Sequence, residues 1–296
     1  MLSEEQKTQL ERDGYLVVED FVSAADVGAL RTRVGELLEG MDPKTIPVSV
    51  FSTDEQCRTS DDYFLSSGDN VSFFYEEGAW NADGTLKQAR SECINKIGHA
   101  LHEQDDVFRR FSFSDKIKQL VASVGWLKKP LMVQSMYIFK QPRLGGKVGA
   151  HVDSAFLYTT PDSTMGLWFA LEDATLENGC LWAIPGSHKE PVTRRFRRAA
   201  GGGTEFVPPE PVEWSQDDFV PCPVKAGSLV LLHGAVVHMS KENRSDKSRH
   251  AFSLHLLEGA DGYAFPEDNW IRRSPGNPFV ALDDVTVDGD AVAGGA

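Results

Sequence analysis

Val148-Gly149-Ala150-His151-Val152-Asp153-Ser154 is the stretch on which the reading of this chain turns. Alternate residues of an extended strand share a face, so His151 and Asp153 point the same way and their donor atoms can meet at one point. One imidazole and one carboxylate on a strand, completed by a distant imidazole, form the two-histidine, one-carboxylate set that holds Fe(II) and leaves positions open for substrate and O2. His-x-Asp alone is weak evidence, because a surface histidine beside a carboxylate looks the same. The surroundings decide.

Those surroundings have the texture of strands. Residues 131–139, 165–171, 180–186, 228–238 and 249–257 are apolar runs separated by Gly, Pro, Asn and Asp turns, with no alternating helices. That pattern indicates an antiparallel sandwich or barrel and excludes a βαβ sheet. Upstream, Ser3 with Gln6 reads as a capping box with Gly14 as the stop, and Tyr15-Leu16-Val17-Val18 reads as a strand. A helix is expected from Ala24 to Leu38, closed by Gly40. Helical patterns follow over 91–102 and 107–127, and Pro130 ends them. Between these lies 41–90, polar except for Phe73-Phe74-Tyr75, which reads as a loop or substrate lid. The expected fold is α+β, mainly β: a jelly roll at about 130–260 behind a helical part at about 1–129. Together they make one domain over 1–280, and 281–296 is expected to be a flexible tail.

The 296 residues carry a formal net charge of -14, which disfavours nucleic acid or an anionic membrane as the main partner and leaves a small-molecule substrate. No apolar run reaches membrane-spanning length, and the polar start Met1-Leu2-Ser3-Glu4 is unlike a targeting peptide. A cytoplasmic protein is expected, consistent with an ending that lacks Ser-Lys-Leu; a monomer is assumed. Cys57, Cys93, Cys180 and Cys222 are far apart with no Cys-x-x-Cys and read as reduced thiols. There is no Gly-x-Ser-x-Gly elbow and no Walker loop.

The third ligand is to be chosen among His233, His238, His250 and His255. If the polar stretch 241–248 turns a hairpin, His238 and Arg249 flank it and lie within a step or two across the strands, which favours His238. A keto acid bound to iron needs a cation for its distal carboxylate, and an arginine fork supplies two parallel hydrogen bonds. His233 reads as a core histidine and His188 as a turn cap. Arg194-Arg195-Phe196-Arg197-Arg198 is the densest basic cluster, suited to an anionic substrate but more simply a solvated loop.

At these residues the chain resembles the phytanoyl-CoA dioxygenase family. The likeness rests on His151-x-Asp153, His238 and Arg249, and on the runs 62–69, 95–102, 134–142, 172–182, 184–188 and 236–238. It implies a double-stranded β-helix with Fe(II) on His151, Asp153 and His238, and 2-oxoglutarate as cosubstrate with O2. By position it also implies 2-oxoglutarate contacts from Lys96, Met136, Trp168, Ser240 and Arg249. The implied reaction decarboxylates 2-oxoglutarate to succinate while hydroxylating a small organic substrate. Two alternatives from other classes are a jelly-roll module that binds metal and 2-oxoglutarate without turnover, and a zinc hydrolase on the same three ligands.

Overall fold

The computed structural model describes residues 1–42, 47–51 and 62–287. Ser3 caps α1 (Glu4–Asp13) reciprocally with Gln6, and Gly14 leaves the helix at φ 78°, where a side chain would be strained. There follow β1 (Tyr15–Val18), α2 (Ala24–Glu39), β2 (Val50–Phe51), α3 (Asp62–Ser66), β3 (Val71–Glu76) and β4 (Ile94–His99). Next come α4 (Leu101–Gln104), α5 (Asp106–Ser112), α6 (Asp115–Val124), β5 (Pro130–Ile138), β6 (Val148–His151), β7 (Met165–Ala170) and β8 (Leu181–Ala183). The rest is strand: β9 (Arg195–Arg198), β10 (Thr204–Val207), β11 (Val220–Cys222), β12 (Leu229–His233), β13 (His238–Ser240), β14 (Ala251–Glu258) and β15 (Val280–Ala281).

These strands form a large sheet ordered β1-β12-β7-β14-β5-β4-β3-β2, with β15 also on β5, and a small sheet ordered β11-β8-β13-β6. The large sheet is buried on both faces, and the strand period of two sorts its residues. Leu167, Phe169, Leu229, Leu231, Phe252 and Leu254 pack with Leu30, Phe108, Ile117 and Leu120 of the helices. Their neighbours Trp168, Ala170, Val230, Leu232 and Ala251 pack with Leu181, Cys222 and Val236 on the small-sheet side. The mainly antiparallel jelly roll is the fold expected from the strand texture.

Several upstream expectations are corrected. Residues 94–99 form strand β4, not a helix: Ile94 and Ile97 fit a helical spacing, but the strand is covered on both faces and shows no alternation. Phe73, Phe74 and Tyr75 lie in β3 and are buried, so this part of 41–90 is core, while 43–46 and 52–61 lie outside the described residues. The part expected to be helical thus gives β1 to β4 to the large sheet. Pro130 does not end a helix; α6 stops at Gly125 and Pro130 opens β5. Nor does the tail begin at 281, because β15 pairs with β5 and Leu282 and Val285 are buried; 288–296 lie outside the described residues. Cys93, Cys180 and Cys222 are free and buried, as expected, and Cys57 lies outside the described residues.

Phe74 has no exposed surface and meets Tyr63, Phe64 and His99 edge-on or tilted. Phe74→Ala is expected to destabilise the protein by about 3–5 kcal/mol, the cost of a cavity left by a buried aromatic ring. Denaturant unfolding checks this, and a loss under about 1 kcal/mol, the level of a surface substitution, would return the segment to the surface.

Candidate metal centre

β13 lies between β8 and β6, and its register sets His238 opposite His151. The strand β6 ends at His151; Val152 is still extended, and Asp153 opens a short 3-10 turn. This differs slightly from one continuous strand, yet the extended Val152 keeps Asp153 on the face of His151. Val152 itself packs with Phe219, Val237 and Met239, away from the donors.

His151 Nδ1 is 2.8 Å from the Gly149 carbonyl and His238 Nδ1 is 3.1 Å from the Val236 carbonyl. A carbonyl only accepts, so each Nδ1 carries the proton and each Nε2 keeps its lone pair. Both Nε2 atoms lie 3.6 Å from Asp153 Oδ1. One donor atom from each of the three residues falls within 4.8 Å of the others, the metal-competent group among the described residues.

Burial, with His151 adding to it, pulls His238 down to about 4, so it is neutral at physiological pH as ligation requires. Burial pushes the Asp153 carboxyl the other way, but the imidazoles of His238, His255 and His151 clustered around it hold it well below the usual carboxylate range.

His255 is one of the four candidates for the third position. The structure gives it a different place, with Nε2 3.4 Å from Asp153 Oδ2, where it braces the second carboxylate oxygen by packing alone, that oxygen having no hydrogen-bond partner. His233 accepts from the Ala235 N–H and packs against Trp126 and His188, and His250 meets the Tyr137 hydroxyl at 2.9 Å. His188 contacts the Glu11 carbonyl, so a structural role is right for it.

Gly166 makes room for this bracing. It lies opposite His255 in the β7–β14 ladder, and a Cβ there would be 3.0 Å from Asp153 Oδ2 and 3.4 Å from Leu232 Cβ. A strand position that must admit another residue's carboxylate tolerates no side chain.

Arg249 is buried, with Nε donating to the Gly179 carbonyl at 3.1 Å and its guanidinium 5.2 Å from the Trp168 ring centre. Its Nη1 is buried with no hydrogen-bond partner. Burial pulls Arg249 down to about 10, and a guanidinium at that value is still charged at neutral pH. The expected hairpin is overturned: β13 belongs to the small sheet and β14 to the large one, so Arg249 faces His238 across the sandwich and not along a ladder. Both line a cavity of about 140 Å3, together with His151, Asp153, Lys96, Met136, Trp168 and Ser240. The volume equals about five waters at roughly 30 Å3 each, the scale of a small diacid.

Met136, Ser253 and Trp168 stand side by side on β5, β14 and β7, and Lys96 lies one step away on β4. Lys96, placed on a strand and not a helix, reaches the Met136 sulfur at 3.7 Å and lies 5.4 Å from the Phe74 ring centre. Lys140, also on the cavity wall, escaped the sequence reading. So did the bracing role of His255.

The arginine cluster is a strand of the β9–β10 hairpin and its charges are engaged. Arg195 grips Asp162, Arg197 meets Glu205 and Asp268, and Arg198 donates to the Trp270 and Leu65 carbonyls. Arg194 donates to the carbonyls of Pro208 and Pro209.

The phytanoyl-CoA dioxygenase (PhyH) family model matches residues 10–251. The chain belongs to the phytanoyl-CoA dioxygenase family. A relative named phytanoyl-CoA dioxygenase from Arabidopsis thaliana is 51% identical over 261 residues, covering 88% of this chain and 90% of its own length. Phytanoyl-CoA dioxygenase domain-containing protein 1 of Mus musculus is 48% identical over 289 residues, 95% of this chain and 98% of its own. Among solved structures, the non-heme alpha ketoglutarate dependent carbocyclase SnoK from nogalamycin biosynthesis superposes with a TM-score of 0.64 at 19% identity, covering 94% of each chain. EctD from S. alaskensis, solved with 2-oxoglutarate and 5-hydroxyectoine, gives 0.59 at 20% identity, covering 93% of this chain and 88% of that one. At these identities they share the fold. The family is one of oxygenases that use iron and 2-oxoglutarate, and the donor set here fits that metal: two imidazoles with their Nδ1 atoms tied to carbonyls, one ionised carboxylate and a buried cation beside them. Among the described residues no helix is long and apolar enough to cross a membrane.

Gly166→Val is expected to displace the Asp153 carboxylate and to weaken divalent-metal binding by roughly 10–100-fold, the usual effect of disturbing the support of a ligand. Titration with Co(II), alongside thermal unfolding to confirm the fold, measures it; unchanged affinity would show that the carboxylate does not need this space.

Proposed function

We propose that this protein is an Fe(II)- and 2-oxoglutarate-dependent dioxygenase that hydroxylates a small organic substrate. The observation that carries the reading is the pairing of a His151, Asp153 and His238 donor cluster with the unpartnered Nη1 of a buried Arg249 in one cavity. Iron and 2-oxoglutarate, when bound, would supply the activation of O2, one oxygen atom entering succinate as CO2 leaves the keto acid and the other hydroxylating the substrate.

The chain's own residues orient and exclude. His151 and His238 present Nε2 to the ion and Asp153 presents Oδ1, their Nδ1–H groups being tied to backbone carbonyls. Arg249 takes the distal carboxylate of the cosubstrate, with Ser240 and Lys96 as further donors. Met136 and Trp168 wall it from water, which strengthens each charged contact. A zinc hydrolase would leave the Arg249 charge without an anion to meet.

A second cavity of about 590 Å3 also reaches His151 and is lined by Phe156, Phe206, Trp214, Val192 and Val237. Phe156 packs edge-on to His151 at 5.8 Å and joins Phe196 and Phe206 in an aromatic cluster. This volume and lining are typical of a small-molecule site and support a substrate with a substantial apolar part. The pairing of β1 with β12 and of β15 with β5 supports reading 1–280 as one domain.

Anaerobic Fe(II) with 2-oxoglutarate should give a visible charge-transfer band, and aerobic incubation should release succinate. A colourless zinc protein, or binding without succinate in the presence of candidate substrates, overturns the reading. His238→Ala should abolish both band and succinate. Arg249→Leu should weaken 2-oxoglutarate binding by about 2–5 kcal/mol, the cost of truncating a buried charge partner, while metal binding persists; calorimetry with and without 2-oxoglutarate separates the two.

A further inference from the structure

Lys140 follows β5 with φ 43°, and its side chain is 2% exposed and turned into the 140 Å3 cavity. Its Nζ lies 2.9 Å from Ser240 Oγ and 2.6 Å from the Gly146 carbonyl. Its own carbonyl accepts from Asn243 Nδ2 at 2.8 Å and from the Arg249 N–H at 3.3 Å, which ties the crossing between the two sheets to the end of β5. The side chain is walled in: a Cβ on Gly179 would sit 2.6 Å from Lys140 Cε. A lysine confined in this way is costly to bury unless its charge has a use.

Hydrogen-bond direction supplies one. An ammonium only donates, so Ser240 Oγ accepts from it and the Ser240 O–H must donate elsewhere, toward the cavity that Arg249 also lines. The geometry points to Lys140 as a positioning residue for the anionic cosubstrate, fixing the Ser240 hydroxyl as a donor and adding a second fixed positive charge beside Arg249. This rests on the 2-oxoglutarate reading above.

The charged groups that act on Lys140 are Arg249, Glu76 and Glu242. Burial and Arg249 pull the ammonium down to about 7, against the fields of Glu76 and Glu242. Glu76, itself pushed up by burial, accepts from the Gly146 N–H and neighbours the same corner. A dianion entering the cavity favours the charged lysine. Above neutral pH its binding therefore draws a proton onto Lys140, and affinity falls as pH rises from about 6 to about 9.

The test is calorimetric binding of 2-oxoglutarate to the anaerobic Fe(II) protein, in two buffers of different ionisation enthalpy, with kcat and KM for 2-oxoglutarate measured alongside. Lys140→Met should raise Kd and KM roughly ten- to hundredfold, the effect of losing a charge-assisted hydrogen bond, with kcat at saturation changed by less than about threefold. It should also abolish proton uptake and flatten the pH dependence of Kd. Ser240→Ala should weaken binding too, and the double variant should be less than additive, since the lysine acts through the serine. Equal Kd and pH slope in wild type and Lys140→Met, or additive losses in the double variant, overturn the proposal. A wild-type protein that binds no 2-oxoglutarate overturns the functional reading instead.

Discussion

The pairing of β13 with both β6 and β8 is the constraint from which the rest follows. It sets His238 opposite His151 in a ladder, so the separation of two imidazoles is fixed by backbone hydrogen bonds and not by side-chain rotamers. Each ring is then locked at Nδ1 by the carbonyl two residues before it, although His151 closes strand β6 and His238 opens β13 after a turn. With the rings held, Asp153 needs only one further extended residue to join them. The backbone also secures that third donor: the Ser154 N–H donates to the Gly234 carbonyl, tying the turn to the link between β12 and β13. A Cβ on Gly234 would lie 2.4 Å from Ser154 Oγ, so glycine there permits the approach.

Electrostatics divides the cavity into two ends. At the metal end the donor set carries one ionised carboxylate, which would leave a divalent ion with residual positive charge. At the other end stand Arg249, Lys140 and Lys96, with Glu76 behind them. Burial lowers both Lys140 and Arg249, and the field of Arg249 lowers Lys140 further. An elongated dianion with one carboxylate for the ion and one for the cationic end would offset this lowering. The folded scaffold, held by two apolar clusters on either side of the large sheet, provides the stability that such a site consumes.

How much of this was legible in the sequence depended on whether the signal was local. The capping box at Ser3, the β5, β7 and β14 strands, and His151 with Asp153 are short-range patterns and were readable directly. The structure groups His238 with His151 and Asp153 although the hairpin invoked for choosing it does not exist. Chain proximity to Arg249 stood in for a crossing between sheets that brings both to one cavity. β3 and β4 were missed because strands covered on both faces lose the alternation by which strands are recognised, and Phe73-Phe74-Tyr75 in a polar setting resembled a loop. Lys140 was invisible as a site residue, and the actual place of His255, a candidate ligand, was not legible, for a related reason: a lysine after an apolar strand, or a histidine on one, acquires meaning only when tertiary contacts show what it faces.

The two cavities are built from different material, and this bears on how one scaffold carries both chemistry and selectivity. Paired strands supply much of the smaller cavity: Lys96 on β4, Met136 on β5, Trp168 on β7, His238 and Ser240 on β13. Their geometry is set by ladders that do not move independently. The larger cavity is bordered by the turn after β6, the segment after β8, the β9–β10 hairpin and the stretch before β11. Such segments tolerate change in length and side chain without disturbing the sheets. A ligand in the larger cavity would meet His151, the residue it shares with the smaller one, so its identity can vary while the donor atoms and the cationic end stay fixed. In this arrangement much of the smaller cavity resides in the strands and the larger one in the connecting segments, with His151 the side chain common to both.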